Sequence, residues 1–169
     1  MAESPYFASV APGLNWSTVP KSRQEKKINT LGGNRGPREN RHKGVIVANQ
    51  NVEISKKAYD AFAAGDLETV LSTFDDNVEF VVPGNSTVSG TYRGKAEVTK
   101  FFAKLAEKSF TTTPSRFPAD GDLVVVLGQV TAGGESAPEA DVCTFRGGKL
   151  VKLEAYSDTA MFERVYGRK

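Results

Sequence analysis

Phe110 divides this chain by the spacing of its apolar residues. From Val52 up to it they mostly recur every three or four positions, and behind it every second one. A step of about 3.6 residues lines apolar side chains along one helix face, whereas a step of two puts them on one face of a strand. Helices followed by a run of strands restrict the chain to an α+β arrangement, with helices packed on one face of a sheet.

Val52 to Ala64 reads as a first helix with Ile54, Ala58, Ala61 and Phe62 on one face. Gly65 suits the left-handed residue that ends it, and Asp66 the cap that opens the next. Leu67, Val70, Leu71 and Phe74 give a short second helix, broken by Asp75-Asp76-Asn77. Val78 to Val82 is a strand stopped by Pro83-Gly84. A linking segment through Gly90-Thr91-Tyr92-Arg93-Gly94 leads to a third helix, with Val98, Phe101, Phe102 and Leu105 inward and its lysines on a solvated face. Four strands follow, at about 110–117, 122–132, 138–146 and 149–157, with tight turns at Asp120-Gly121-Asp122 and Arg146-Gly147-Gly148. Asp158 to Tyr166 ends the domain as a helix or a return over the sheet. About three helices on the concave face of a curved antiparallel sheet enclose a cone, a natural ligand site.

Residues 1–50 stand apart from this pattern. They carry a net charge of +5 against −3 for residues 51–169, and show neither period. Rich in Pro, Gly, Asn, Ser and Arg, they bury too little apolar surface to offset the entropy of ordering. Three readings stay open: a tail, leader or transit segment; an arm that docks on a partner through Tyr6, Phe7, Leu14 and Trp16; and nucleic-acid binding. The last is disfavoured, because the basic residues lack the aromatic interleaving of a stacking platform. The one cysteine, Cys143, allows no internal disulfide and fits a reducing compartment, cytoplasm or organelle interior. No apolar run approaches the roughly 20 residues of a membrane span, so a soluble domain at 51–169 is expected, with no metal and no cofactor.

Six segments, in order, resemble the nuclear transport factor two-like superfamily, particularly its SnoaL-like and ketosteroid-isomerase-like members. They are Tyr59-Asp60-Ala61-Phe62-Ala63-Ala64-Gly65-Asp66, Val78-Glu79-Phe80-Val81-Val82-Pro83-Gly84, Gly90-Thr91-Tyr92-Arg93-Gly94, Asp120-Gly121-Asp122-Leu123-Val124-Val125-Val126, Thr144-Phe145-Arg146-Gly147-Gly148-Lys149 and Glu154-Ala155-Tyr156-Ser157-Asp158-Thr159-Ala160. The resemblance covers about residues 51–166. It implies a cone-shaped pocket and commonly a homodimer through the outer sheet face, where Glu154 and Tyr156 fall. It implies no single activity, since the superfamily includes isomerases, cyclases, dehydratases, hydrolases, binding domains and inert assembly modules.

Ketosteroid isomerisation needs a carboxylate base and donors for the enolate oxygen. Similarity to that family would set the base at Val82, which takes no proton, and the helix-1 hydroxyl at Ala58, one residue from Tyr59. Only the second acid has a counterpart, Asp141. The Asp-Arg-Asp set of the related epoxide hydrolases fails at Ala155, and the sole histidine, His42, lies in the basic arm.

The side of the sheet that Asp141 faces depends on the last hairpin. A two-residue loop at Gly147-Gly148 pairs Phe145 with Leu150 and sets Asp141 opposite Glu154, on the surface. A three-residue bulged loop from Arg146 pairs Phe145 with Lys149 and turns Asp141, Cys143 and Phe145 inward with Val151, Leu153 and Ala155. The resemblance favours the second register, in which burial raises the Asp141 pKa. Candidate pocket residues are Tyr59, Phe80, Val82, Tyr92, Phe101, Asp141 and Cys143; Phe74 and Phe102 suit the core, and Arg116 the surface.

Three functions follow. The first is a non-catalytic SnoaL-like domain with a small apolar ligand pocket, or a vestigial one, tethered to a partner by its arm. The second is an isomerase, lyase or cyclase using Asp141 as acid or base. The third is an accessory subunit of a larger assembly.

Overall fold

A computed structural model describes residues 38–169, with side chains from residue 44 onward. Helix α1 spans Arg38–Ala63 and α2 spans Leu67–Ser72. Strands β1 (Phe74–Val82) and β2 (Gly90–Arg93) precede α3 (Gly94–Ala106). Then come β3 (Thr111–Arg116), β4 (Ala119–Asp120), β5 (Leu123–Ala132), β6 (Glu135–Arg146), β7 (Lys149–Tyr156) and α4 (Thr159–Tyr166).

The strands form one open sheet in the order β2-β1-β7-β6-β5-β3, with β4 beside β5. It is mixed: β1 runs parallel to β7, and the other pairs are antiparallel. The parallel pair follows from α3 and the β3–β6 meander, which carry the chain across and back before β7 docks on β1.

Local chemistry sets most boundaries where the sequence places them. Asp66 accepts from the Thr69 amide at 3.0 Å and opens α2. Asp158 accepts from the amides of Ala160 (2.9 Å) and Met161 (3.1 Å) and opens α4. Three expectations change. The first helix reaches back to Arg38, so residues 38–50 belong to it and not to an arm. Phe74 does not sit on α2 but begins β1, which runs straight through Asp75-Asp76-Asn77. The linking segment contains β2, which pairs Tyr92 with Phe80.

Four helices cover the inner face of the sheet. The core between them includes Val70, Val78, Val98, Phe101, Leu105, Val124, Val126, Val130, Leu153 and Met161, each less than a tenth exposed. On the outer face Lys152 and Glu154 form an ion pair at 3.1 Å, and Tyr156 stands 54% exposed. No described helix is long and apolar enough to cross a membrane. Tyr6, Phe7, Leu14 and Trp16, the expected partner anchors, lie outside the described residues.

Candidate functional site

A cavity of about 100 Å³ lies between the helices and the sheet. A water needs only about 10–15 Å³ counted this way, so the space suits an organic molecule. Phe62, Phe74, Phe80, Phe101, Phe102, Phe110, Phe145 and Phe162 contribute to its walls. The aromatic packing is edge-on in places, as between Phe62 and Phe102 (centroids 5.1 Å, planes at 61°).

Two carboxyl groups interrupt this apolar wall, Glu139 and Asp141. Both stand on β6, where alternate residues from Ala137 to Phe145 turn toward the interior. The register of β7 beside them differs from both sequence alternatives. Gly147 and Gly148, at φ 56° and 72°, form a two-residue turn, and Phe145 pairs with Leu150. Continued without a break, that register would set Cys143 opposite Lys152 and Asp141 opposite Glu154, bringing two charged side chains of β7 to the inner face. The ladder then skips Val151, so Thr144 pairs with Lys152 and Asp141 with Ala155. One bulge in β7 restores the phase, leaving Leu150, Leu153 and Ala155 on the cavity side.

Asp141 is 6% exposed. Its Oδ2 accepts a short hydrogen bond from the Tyr59 hydroxyl on α1, while its Oδ1 is buried with no partner. The Tyr59 ring meets Phe117 edge-on, centroids 6.4 Å apart. Glu139 Oε2 accepts from the Thr112 hydroxyl at 2.9 Å. Thr112 lies on β3, two strands from β6, and it reaches Glu139 across Gly128, the residue paired with both Pro114 and Glu139. Gly128 contributes no side chain along that route.

Burial pushes the Asp141 carboxyl up to about 6, against the lowering effect of the Tyr59 hydrogen bond. Burial, then the neighbouring Asp141 charge, pushes Glu139 up to about 8, while the Thr112 bond lowers it. Between those values the pair holds about one proton. Tyr59 and Cys143 are both raised well above their ordinary values, by burial first and the Asp141 charge second. Such a pair can accept hydrogen bonds, donate one, or pass a proton.

Of the candidate residues, Tyr59, Phe80, Val82, Phe101, Asp141 and Cys143 line the cavity. Tyr92 is not among its walls: it stacks on Phe101 (centroids 4.6 Å) and donates to the Val88 carbonyl at 2.8 Å. Its position on an edge strand, paired with β1, sets it behind Phe101. Arg116 is exposed. Sequence reading missed Glu139, although its two-residue step from Asp141 puts both on one face. It missed Thr112, which no local signal links to Glu139. Among the described residues no group of three or more His, Cys, Asp or Glu side chains could hold a metal ion.

The family model for the SnoaL-like domain matches residues 56–153. An uncharacterized protein of Mycobacterium tuberculosis is 29% identical over 122 residues, covering 67% of this chain and 93% of that protein. A solved NTF2-like protein of unknown function from Burkholderia pseudomallei is 29% identical with a TM-score of 0.63, covering 69% of this chain and 97% of its own. The structure of TerC co-crystallised with polyporic acid is 28% identical with a TM-score of 0.63, covering 69% and 98%.

Proposed function

Because this chain belongs to the SnoaL-like domain family, we propose that its cavity binds a small, largely apolar molecule whose polar end is held by Asp141 and Tyr59. The observation that carries this reading is Oδ1 of Asp141, a buried oxygen without a partner on a side chain that lines a predominantly apolar cavity. An unsatisfied buried polar atom costs about 1–3 kcal/mol. A polar group of a bound molecule that reaches Oδ1 offsets that cost, and the phenylalanine walls supply affinity through burial, about 25 cal/mol per Å² of apolar surface. TerC, a similar structure, was co-crystallised with polyporic acid, which supports a small molecule as the class of occupant.

Steroid isomerisation gains no support. Val82 lines the cavity at the position where that reaction would need its base, and no proton can be taken there. A second reading, proton transfer on the bound molecule, is favoured by one observation: two carboxyl groups on one cavity wall with values pushed to about 6 and 8. The protonated member serves as acid and the ionised one as base, as in other sites where environment separates paired carboxyls.

Ligand-observed NMR with a library of small apolar compounds tests the first reading. Hits should displace one another and bind at least tenfold more weakly to Asp141→Asn and to Tyr59→Phe. A library without a hit, or hits indifferent to both substitutions, would overturn it. Solvent-deuterium incorporation into bound ketones, lost in Asp141→Asn, tests the second.

A further inference from the structure

We propose that the molecule held in the cavity carries a protonated amine, seated between Glu139 and Asp141 and flanked by aromatic rings. The inference rests on the reading of the cavity as a ligand site and adds the charge of its occupant.

Four observations converge. First, the two carboxyls stand two residues apart on one face of β6, and both line the cavity. Second, their recorded partners are neutral hydroxyls, Tyr59 on Asp141 and Thr112 on Glu139. Among the described residues, no lysine, arginine or histidine lines the cavity, so negative charge on the pair meets no protein cation there. Third, Asp141 Oδ1 is buried and unpartnered. Fourth, the walls of the cavity that holds the pair are rich in phenylalanine, a ring whose face attracts a cation.

An ammonium group answers all four. It donates up to three hydrogen bonds, enough for both carboxylates, and it supplies the missing positive charge in a low-dielectric site, where that attraction is strongest. A carboxylate-bearing ligand would meet like charge. A neutral alcohol could satisfy one oxygen but would leave the charge of the pair unmatched.

The empty pair retains a proton near neutrality, and an arriving ammonium displaces it. The groups facing the pair are Tyr59 from α1, Cys143 from β6 and Thr112 from β3. The first two are raised well above their ordinary values and stay neutral through this window. Amine affinity therefore rises with pH as the pair gives up its proton between about 6 and 8. It falls only when the amine itself deprotonates, roughly where lysine does, near 10.

The test is calorimetric titration of the full chain with phenylalkylamines from benzylamine to 4-phenylbutylamine, beside the matched alcohols and carboxylates. At pH 8 the best amine should bind at least tenfold more tightly than its alcohol, and the carboxylates should give no heat of binding. Amine affinity should rise about a hundredfold from pH 6 to pH 8, with proton release that varies with buffer ionisation heat. Glu139→Gln and Asp141→Asn should each weaken the amine at least tenfold more than they weaken its matched alcohol. If Asp141→Asn fails to fold, Glu139→Gln carries the comparison. Alcohols or carboxylates binding as tightly as amines at pH 8 would overturn the inference while leaving the cavity a ligand site. No binding by any of the three series would overturn both.

Discussion

Tyr59 on α1 donates its hydroxyl to Asp141 on β6 across 82 positions of sequence, tying the first helix to the middle of the sheet inside the cavity. The bond is the one hydrogen bond recorded to the Asp141 carboxyl among the described residues, since Oδ1 has no partner. Tyr59→Phe keeps the ring on Phe117 and removes only the donor. We expect it to destabilise the fold by about 1–3 kcal/mol, the usual cost of leaving a buried acceptor unsatisfied. Because that bond lowers the Asp141 value, the variant should also titrate Asp141 at higher pH. Urea unfolding and carbon-detected NMR of the carboxyl measure the two effects. An unchanged titration midpoint would show that the hydroxyl does not support Asp141 in solution.

The raised carboxyls make a statement about stability against pH. Asp141 titrates near 6 and Glu139 near 8 in the folded chain, against ordinary values near 4 in the unfolded chain. The folded state thus binds more protons than the unfolded state between pH 4 and 8, and stability from this pair falls as pH rises through that window. The contribution is fully present below about pH 4 and is lost by about pH 8. Asp141→Asn and Glu139→Gln should each flatten the fall between pH 5 and 8, measured as unfolding free energy. A wild-type profile that rises across this range, unchanged by both substitutions, would contradict the buried pair.

Gly128 is held glycine by its neighbours. A Cβ built there would lie 2.5 Å from the Thr113 carbonyl oxygen and 3.0 Å from the Pro114 Cα, both backbone atoms that cannot turn aside. Gly128→Ala should push β3 away from β5 and cost about 1–3 kcal/mol, the range for overpacking. It should also break the Thr112–Glu139 bond, which passes over this residue, and so raise the Glu139 value further. Thermal unfolding together with the Glu139 titration separates this from a general loss of packing, which would leave the folded-state titration unmoved.

The limits of sequence reading fall at particular residues. Helix faces, the Asp66 cap and the period-two strands were legible because each is written within a few neighbouring positions, whereas Asp158 to Tyr166 stayed open between a helix and a return over the sheet. The chain from Arg38 to Gln50 did not read as helix, because its large apolar residues, Val45, Ile46 and Val47, are consecutive and mark no stripe at helical spacing; Val45 and Ile46 stand 59% and 56% exposed. The bulge at Val151 has no local signature. It is set jointly by the Gly147-Gly148 turn, which pairs Phe145 with Leu150, and by the need to keep Leu153 and Ala155, in place of Lys152 and Glu154, on the inner face. Asp141 and Tyr59 could be nominated one by one, but their bond is a property of the packed chain, as is the path from Thr112 across Gly128 to Glu139.

Cys143 is the single cysteine and lines the same cavity two residues from Asp141. It is 2% exposed, and its thiol is pushed well above its ordinary value by burial first, then by the charges of Asp141 and Glu139. The thiolate is the reactive form, so labelling by an aromatic disulfide reagent at pH 8 should be slow in the folded chain and fast in denaturant. Removing one neighbouring charge works against the raised value, so Asp141→Asn should label faster than wild type when their unfolding free energies are matched by adjusting denaturant. A molecule filling the cavity should slow labelling in proportion to its occupancy, which makes Cys143 a reporter of binding without an added probe. Labelling as fast in the folded chain as in the unfolded one would place the thiol at the surface and refute the cavity geometry around Asp141.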